Sequence, residues 1–213
     1  MKFGKHWVGV SVLALAGAVH ADPLPFADGF NSLAAWTLTN NSPNAGQNWF
    51  QGNAGLFTSQ AGADNSYAAV NFLSATTGAI DNWLISPELT LGSASQLSFY
   101  TQGLIEAGFH DSMEVLFSAG SGTATAGFTS LLVIGGDPNV DYPSLWTAFS
   151  LALPNAATGR IAFRYFGDAD VSNYIGVDTV SVTAAVIPEP STYALMALGL
   201  AGIGFISRRR LRS

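Results

Sequence analysis

Between residues 22 and 186, no stretch longer than about ten residues carries the 3.6-residue stripe of a helix, and apolar side chains instead recur at every second position in short runs. In Leu97-Ser98-Phe99-Tyr100-Thr101 they alternate with polar neighbours. Met113, Val115 and Phe117 share one face of a run, and so do Ile161, Phe163 and Tyr165, with Arg160 and Arg164 on the opposite face. The runs are broken by turn chemistry: Ala119-Gly120-Ser121-Gly122, Gly135-Gly136-Asp137-Pro138 and Pro154-Asn155-Ala156-Ala157-Thr158-Gly159. Many short half-buried strands with such breaks predict an all-β fold of two packed sheets. Residues 46–65, rich in Gly, Asn and Gln, are expected to form the longest irregular connection.

The last run, residues 174–182, changes parity. Ile175 and Val177 are in phase with each other, whereas Val180 and Val182 are in phase with Asp178. A β-bulge near Asp178 would reconcile the halves. Without one, the carboxylate points into the core, where it must be paired, protonated or bound to a cation. Arg160 and Arg164 are the candidate pairing partners.

Both ends differ from the middle. Lys2 and Lys5 precede an apolar run over residues 7–19, followed by Val19-His20-Ala21. This is the layout of a secretory signal peptide, residues 1–21, cut by signal peptidase after Ala21. At the other end, Pro188-Glu189-Pro190 is followed by an uncharged apolar run to residue 206 and then Arg208, Arg209, Arg210 and Arg212. The prolines bar regular helix, and the run would be apolar on every side as a helix, which belongs in a bilayer. A single hydrophobic helix is expected over residues 193–206, shorter than the roughly 20 residues of a comfortable span and so suited to a transient tether. The tail, residues 187–213, resembles the PEP-CTERM sorting signal. That resemblance implies export and recognition by a membrane protease of the exosortase family.

Without the two ends, the charge balance changes. The whole chain of 213 residues has a formal charge of −6, but residues 22–187 hold 13 acids against only Arg160 and Arg164, a net charge of −11. Such a surface repels phosphate backbones and excludes nucleic acid as a partner. The chain has no cysteine, so a domain of this length must be stabilised by packing.

The inventory of reactive side chains is short. Past the signal peptide there is one histidine, His110, and neither cysteine nor lysine, so only a Ser-His-Asp site on His110 remains, and the Gly-x-Ser-x-Gly elbow is missing. His110 is expected in a surface loop. Carboxylate pairs for glycoside hydrolysis are available by number, but none has a motif, and Asp168 and Asp170 read as solvated loop acids. Of Trp36, Trp49, Trp83 and Trp146, Trp49 lies among Gln47, Asn48, Gln51 and Asn53 and is the candidate ligand-binding platform for a sugar ring.

Asp28-Gly29-Phe30 with Trp36, Ser66-Tyr67-Ala68-Ala69-Val70, Asp81-Asn82-Trp83-Leu84-Ile85-Ser86-Pro87, Leu97-Ser98-Phe99, Glu114-Val115-Leu116-Phe117-Ser118, Ile161-Ala162-Phe163-Arg164-Tyr165 and Ile175-Gly176-Val177-Asp178-Thr179-Val180 occur in a characteristic order. The set resembles choice-of-anchor J domains, which are similar to the cleaved adhesin domains of bacterial surface proteins. The resemblance implies a jelly-roll β-sandwich of the MAM and galactose-binding-like kind over residues 22–186. It also implies a non-enzymatic role at the cell surface or in the extracellular matrix. Relatives of this fold hold a structural calcium where the first and last strands meet, which by position implies Asp28, Asn31 and Asp178 as ligands; the family pattern often has Glu where Asn31 stands. The expected function is adhesion or binding to surface proteins. The alternatives are a carbohydrate-binding module acting on exopolysaccharide and a hydrolase using a carboxylate pair.

Overall fold

The computed structural model describes residues 25–92, 94–137 and 142–184. The expected signal peptide, the PEP-CTERM motif and the helix over residues 193–206 lie outside them. Twelve strands follow in order: β1 (Phe26–Asp28), β2 (Thr37–Asn40), β3 (Phe50–Gln51), β4 (Ala68–Asn71), β5 (Ala79–Ile85), β6 (Leu89–Thr90), β7 (Ser95–Gly103), β8 (Ser112–Ala119), β9 (Thr129–Gly135), β10 (Thr147–Leu153), β11 (Thr158–Asp168) and β12 (Tyr174–Ala184). One sheet runs β10-β7-β12-β4-β3, with β1 also on β12; the other runs β2-β5-β11-β8-β9, with β6 also on β11. The chain changes sheet at every connection except β3–β4, β5–β6 and β8–β9, which makes the sandwich a jelly roll.

The period-two pattern accounts for the core. Met113, Val115 and Phe117 from β8, Ile161, Phe163 and Tyr165 from β11, and Leu97 and Phe99 from β7 all enter the inter-sheet cluster. Phe163 meets Phe99 edge-on at 5.1 Å and Trp36 at 6.2 Å between ring centroids, so aromatic rings join the two sheets. Each such side chain, once fully buried, contributes about 1.5–3 kcal/mol.

The outer face of the β12 sheet is covered as well. The segment between β3 and β4 is irregular, as expected, although the short strand β3 interrupts the predicted span 46–65. It lies over Tyr67 and Tyr174, with Phe57 stacked on Tyr67 at 5.0 Å and edge-on to Tyr174 at 5.4 Å. The Tyr67 and Tyr174 hydroxyls lie 3.0 Å apart, and both accept the backbone N–H of Asn53. Gly176 is required beneath them, because a Cβ there would fall 2.8 Å from the Tyr67 ring. This strap gives the sheet a second, smaller apolar layer and determines the environment of Asp178.

Candidate functional site

The parity change in the last strand is a bulge. The pairing of β12 with β7 shifts between Asp178 and Ser181, and Thr179 has a φ of 49°, in the left-handed region that a β-branched residue disfavours. The extra residue lets Ile175 and Val177 as well as Val180 and Val182 reach the core. It also marks a change of neighbour. β4 pairs with β12 up to Val177, and β1 pairs with it from Val180, leaving a gap in the sheet at Asp178 and Thr179.

The strap fills that gap. Asp178 is 0 % exposed, yet it does not enter the inter-sheet core: it belongs to the outer face of its sheet, under residues 60–61. Its Oδ2 accepts the backbone N–H groups of Gln60 (2.8 Å) and Ala61 (3.1 Å), and its Oδ1 accepts that of Thr179 (2.6 Å). The Thr179 hydroxyl donates to Gln60 Oε1 at 2.7 Å. Burial pushes the Asp178 carboxyl above its usual range, and the three amides oppose that rise.

The arginine pairing considered from the sequence is corrected here. Arg160 donates to the carbonyls of Ser86 and Ser121, and Arg164 pairs with Asp81 at 2.6 Å and Glu114 at 3.1 Å. Both arginines stand on the outer face of the other sheet, opposite Ile161 and Phe163, so the whole sandwich separates them from Asp178. Arg164 also sits over the Trp83 and Phe166 rings, each 5.4 Å away.

Asp28 comes close to the bulge through β1. Its two oxygens are engaged by N–H donors: Oδ1 by Phe30 (2.8 Å) and Oδ2 by the Trp36 indole (2.7 Å). Phe30, like Thr179, has a φ of 49°. A groove of about 270 Å³ lies where the first and last strands meet, and Asp28, Asn31, Gly62 and Thr179 are among the residues that line it. The structure therefore brings Asp28 and Asn31 to one wall, with Asp178 next to Thr179 beneath the strap. Calcium takes six to eight oxygens. Among the described residues no three carboxylates or histidines gather at metal-binding distance, and the Asp28 and Asp178 carboxylates already hold N–H donors. Two carboxylates and one amide side chain fall short of that number of oxygens, so these three residues alone do not complete a calcium cage.

Trp49 is also corrected. It is only 2 % exposed, packs in the main core and donates its indole N–H to the Asn82 carbonyl at 3.1 Å, so its face is not open to a sugar ring. His110 lies in the β7–β8 loop, as expected. The neighbouring Asp111 is buried, where its Oδ1 accepts the Tyr165 hydroxyl and the Asn173 backbone N–H. Burial raises the Asp111 carboxyl above its usual range and the Tyr165 hydroxyl well above its own. Asp168 is an exposed cap that accepts the Asp170 N–H at 3.0 Å. Of the acids that sequence reasoning singled out, Asp28 holds an amide and an indole, Asp178 three amides and Asp168 the amide of Asp170. The Asp111–Tyr165 bond was missed because its partners lie 54 residues apart.

This architecture is that of a jelly-roll β-sandwich module closed by its first and last strands. The chain belongs to the Cleaved Adhesin Domain family, whose profile matches residues 28–182, and the PEP-CTERM protein-sorting motif matches residues 186–210. The K1 cleaved adhesin domain of Lys-gingipain from Porphyromonas gingivalis shares 22 % identity at a TM-score of 0.60, over 76 % of this chain and 99 % of that one. The K2 domain of Lys-gingipain shares 23 % identity at 0.57 over 76 % and 99 %, and the K3 domain from the same organism as K1 shares 23 % at 0.56 over 75 % and 98 %. At these identities the likeness establishes the fold. No curated protein matches the chain. A cleaved adhesin domain joined to a PEP-CTERM motif makes this an exported surface protein of adhesin-like kind.

Proposed function

We propose that the chain is a non-catalytic adhesion module delivered to the bacterial surface or extracellular matrix by its two ends. Signal peptidase removes residues 1–21, the sandwich of residues 22–186 is the working part, and residues 187–213 hold it in the membrane until exosortase acts. In the tail, Pro188, Glu189 and Pro190 are the processing motif, residues 193–206 the tether, and Arg208, Arg209 and Arg210 the cytoplasmic stop. The observation that carries this reading is the junction: the domain match ends at residue 182 and the sorting match begins at 186, leaving only 183–185 between them. The sandwich is attached directly to its address.

Binding is favoured over chemistry because the buried or half-buried acids Asp28, Asp81, Asp111, Glu114 and Asp178 are engaged in holding loops and strands together. The exopolysaccharide alternative has lost the open indole on which it rested, so surface proteins are the favoured partners. The reading is tested by displaying the full chain, and a version lacking residues 22–186, on cells and measuring adherence to neighbouring cells and to protein-coated surfaces. Adherence that requires the sandwich supports the proposal. Equal adherence, or turnover in a glycosidase substrate panel, refutes it.

A further inference from the structure

Most of the exposed large apolar side chains among the described residues are gathered at one end. Phe72 and Leu73 lie on the β4–β5 connection, Ile105 and Phe109 on the β7–β8 connection, and Val171 on the β11–β12 connection, each between 38 % and 49 % exposed. Backbone bonds tie the three connections together: Phe72 N–H to the Asn173 carbonyl (2.9 Å), His110 N–H to that of Val171 (2.6 Å) and Leu104 N–H to that of Tyr174 (2.9 Å). They account for five of the eight large hydrophobic side chains exposed among the described residues, so the gathering is not the ordinary scatter of apolar side chains over a surface.

The position of this end gives it meaning. β12 starts there at Tyr174 and ends at Ala184, two residues before the sorting motif. Its 11 residues set the apolar loops roughly 35 Å from the start of the tail, at about 3.3 Å per residue. With the tail as the tether proposed above, the end that carries it is the membrane-proximal one and the apolar end is the distal one.

We infer that this membrane-distal end is the binding surface, and that its partner is a protein face with apolar side chains inside a ring of lysine or arginine. The inference rests on the adhesion reading above and names the site that performs it. Glu106 and Asp170 are exposed on the same connections, and Asp168 borders them, so the apolar patch has an acidic rim. That rim repels a second copy of a domain whose net charge is −11, and it repels an anionic lipid surface. Three of the five apolar side chains are aliphatic, which suits interdigitation with protein side chains better than stacking on a pyranose ring.

The test uses the full-length protein and two labelled amphipathic helical peptides that share a leucine face, one with lysine and one with glutamate on the other face, followed by fluorescence anisotropy. The leucine–lysine peptide binds, more weakly at high salt. Phe72→Ser with Ile105→Ser weakens it by about tenfold or more, with unchanged near-ultraviolet circular dichroism. Glu106→Gln with Asp170→Asn, which leaves the apolar contacts in place, weakens it less and flattens the salt dependence. The inference is overturned by equal binding of the leucine–glutamate peptide, by wild-type affinity in both double variants, by displacement of the peptide with purified exopolysaccharide, or by a wild-type dimer that the apolar double variant dissolves. Displayed in the adherence assay, the apolar double variant separates the two claims. If it adheres like wild type, this site is wrong and the adhesion reading stands; if wild type itself fails to adhere, the adhesion reading falls.

Discussion

Replacing Asp178 removes the carboxylate that holds the strap to the last strand. The Asp178→Ala variant deprives the backbone N–H groups of Gln60, Ala61 and Thr179 of their acceptor in a site closed to solvent. Hydrogen bonds to a charged group contribute about 1.5–3 kcal/mol each, and a buried donor left unpaired costs about 1–3 kcal/mol. Two effects reduce the sum: the carboxylate's own desolvation penalty disappears, and Gln60 and Ala61 can find water if the strap lifts. A net loss of about 3 kcal/mol is expected, which for a domain of this size lowers Tm by about 10 °C. Asp178→Asn keeps an acceptor for Gln60 and Ala61 but turns an amide towards the Thr179 N–H, so it should cost about half as much. Thermal unfolding gives the total, and hydrogen exchange shows where it arises. Exchange at Gln60 and Ala61 should accelerate more than exchange in β8 or β11. Slow exchange at both amides in Asp178→Ala, with Tm unmoved, would refute the reasoning.

Three further outcomes follow from the same contacts. Burial raises the Asp111 carboxyl in the fold above its unfolded value of 3.8, so the stability it contributes is fully present below that value and is lost as pH rises through the folded value. Wild type should therefore gain on Asp111→Asn as pH falls from neutral towards about 4, and a difference that does not vary with pH in denaturant titrations would contradict this. Asp28→Ala leaves the Trp36 indole and the Phe30 N–H without their acceptor and should lower stability by about 2 kcal/mol, read by urea denaturation with an unchanged slope. Chelator should leave Tm where it is, and a Tm that rises on adding calcium would restore the metal to the junction of β1 and β12.

Much of the fold was legible because strand burial is written locally. The alternation at residues 113–117 and 161–165 assigned inward faces that the structure keeps, and the parity break at Asp178 marked the bulge from a single strand. What was illegible depended on distant partners. Two of the three amides that hold Asp178 lie 117 and 118 residues away in the chain, in a strap with no periodicity of its own. Trp49 looked exposed because its neighbours are polar. In the fold, the Gln47 carbonyl accepts the side-chain amides of Asn40 and Asn82, while the indole between the strands fills the core. The arginines were plausible partners for Asp178 by scarcity alone, and the assignment of β11 and β12 to different sheets excluded them.

Intact-mass measurement of the protein recovered from the cell surface and the medium tests the central claim, that two terminal signals deliver this sandwich as a processed surface module. The expected mass is that of a chain beginning at Asp22 and ending in or just after the Pro188-Glu189-Pro190 region, with any group added there. Replacement of Pro188, Glu189 and Pro190 by alanine should leave the mass of a chain that runs from Asp22 to Ser213. A wild-type mass that includes the apolar run and the arginines, at the surface and in the medium alike, would contradict the account.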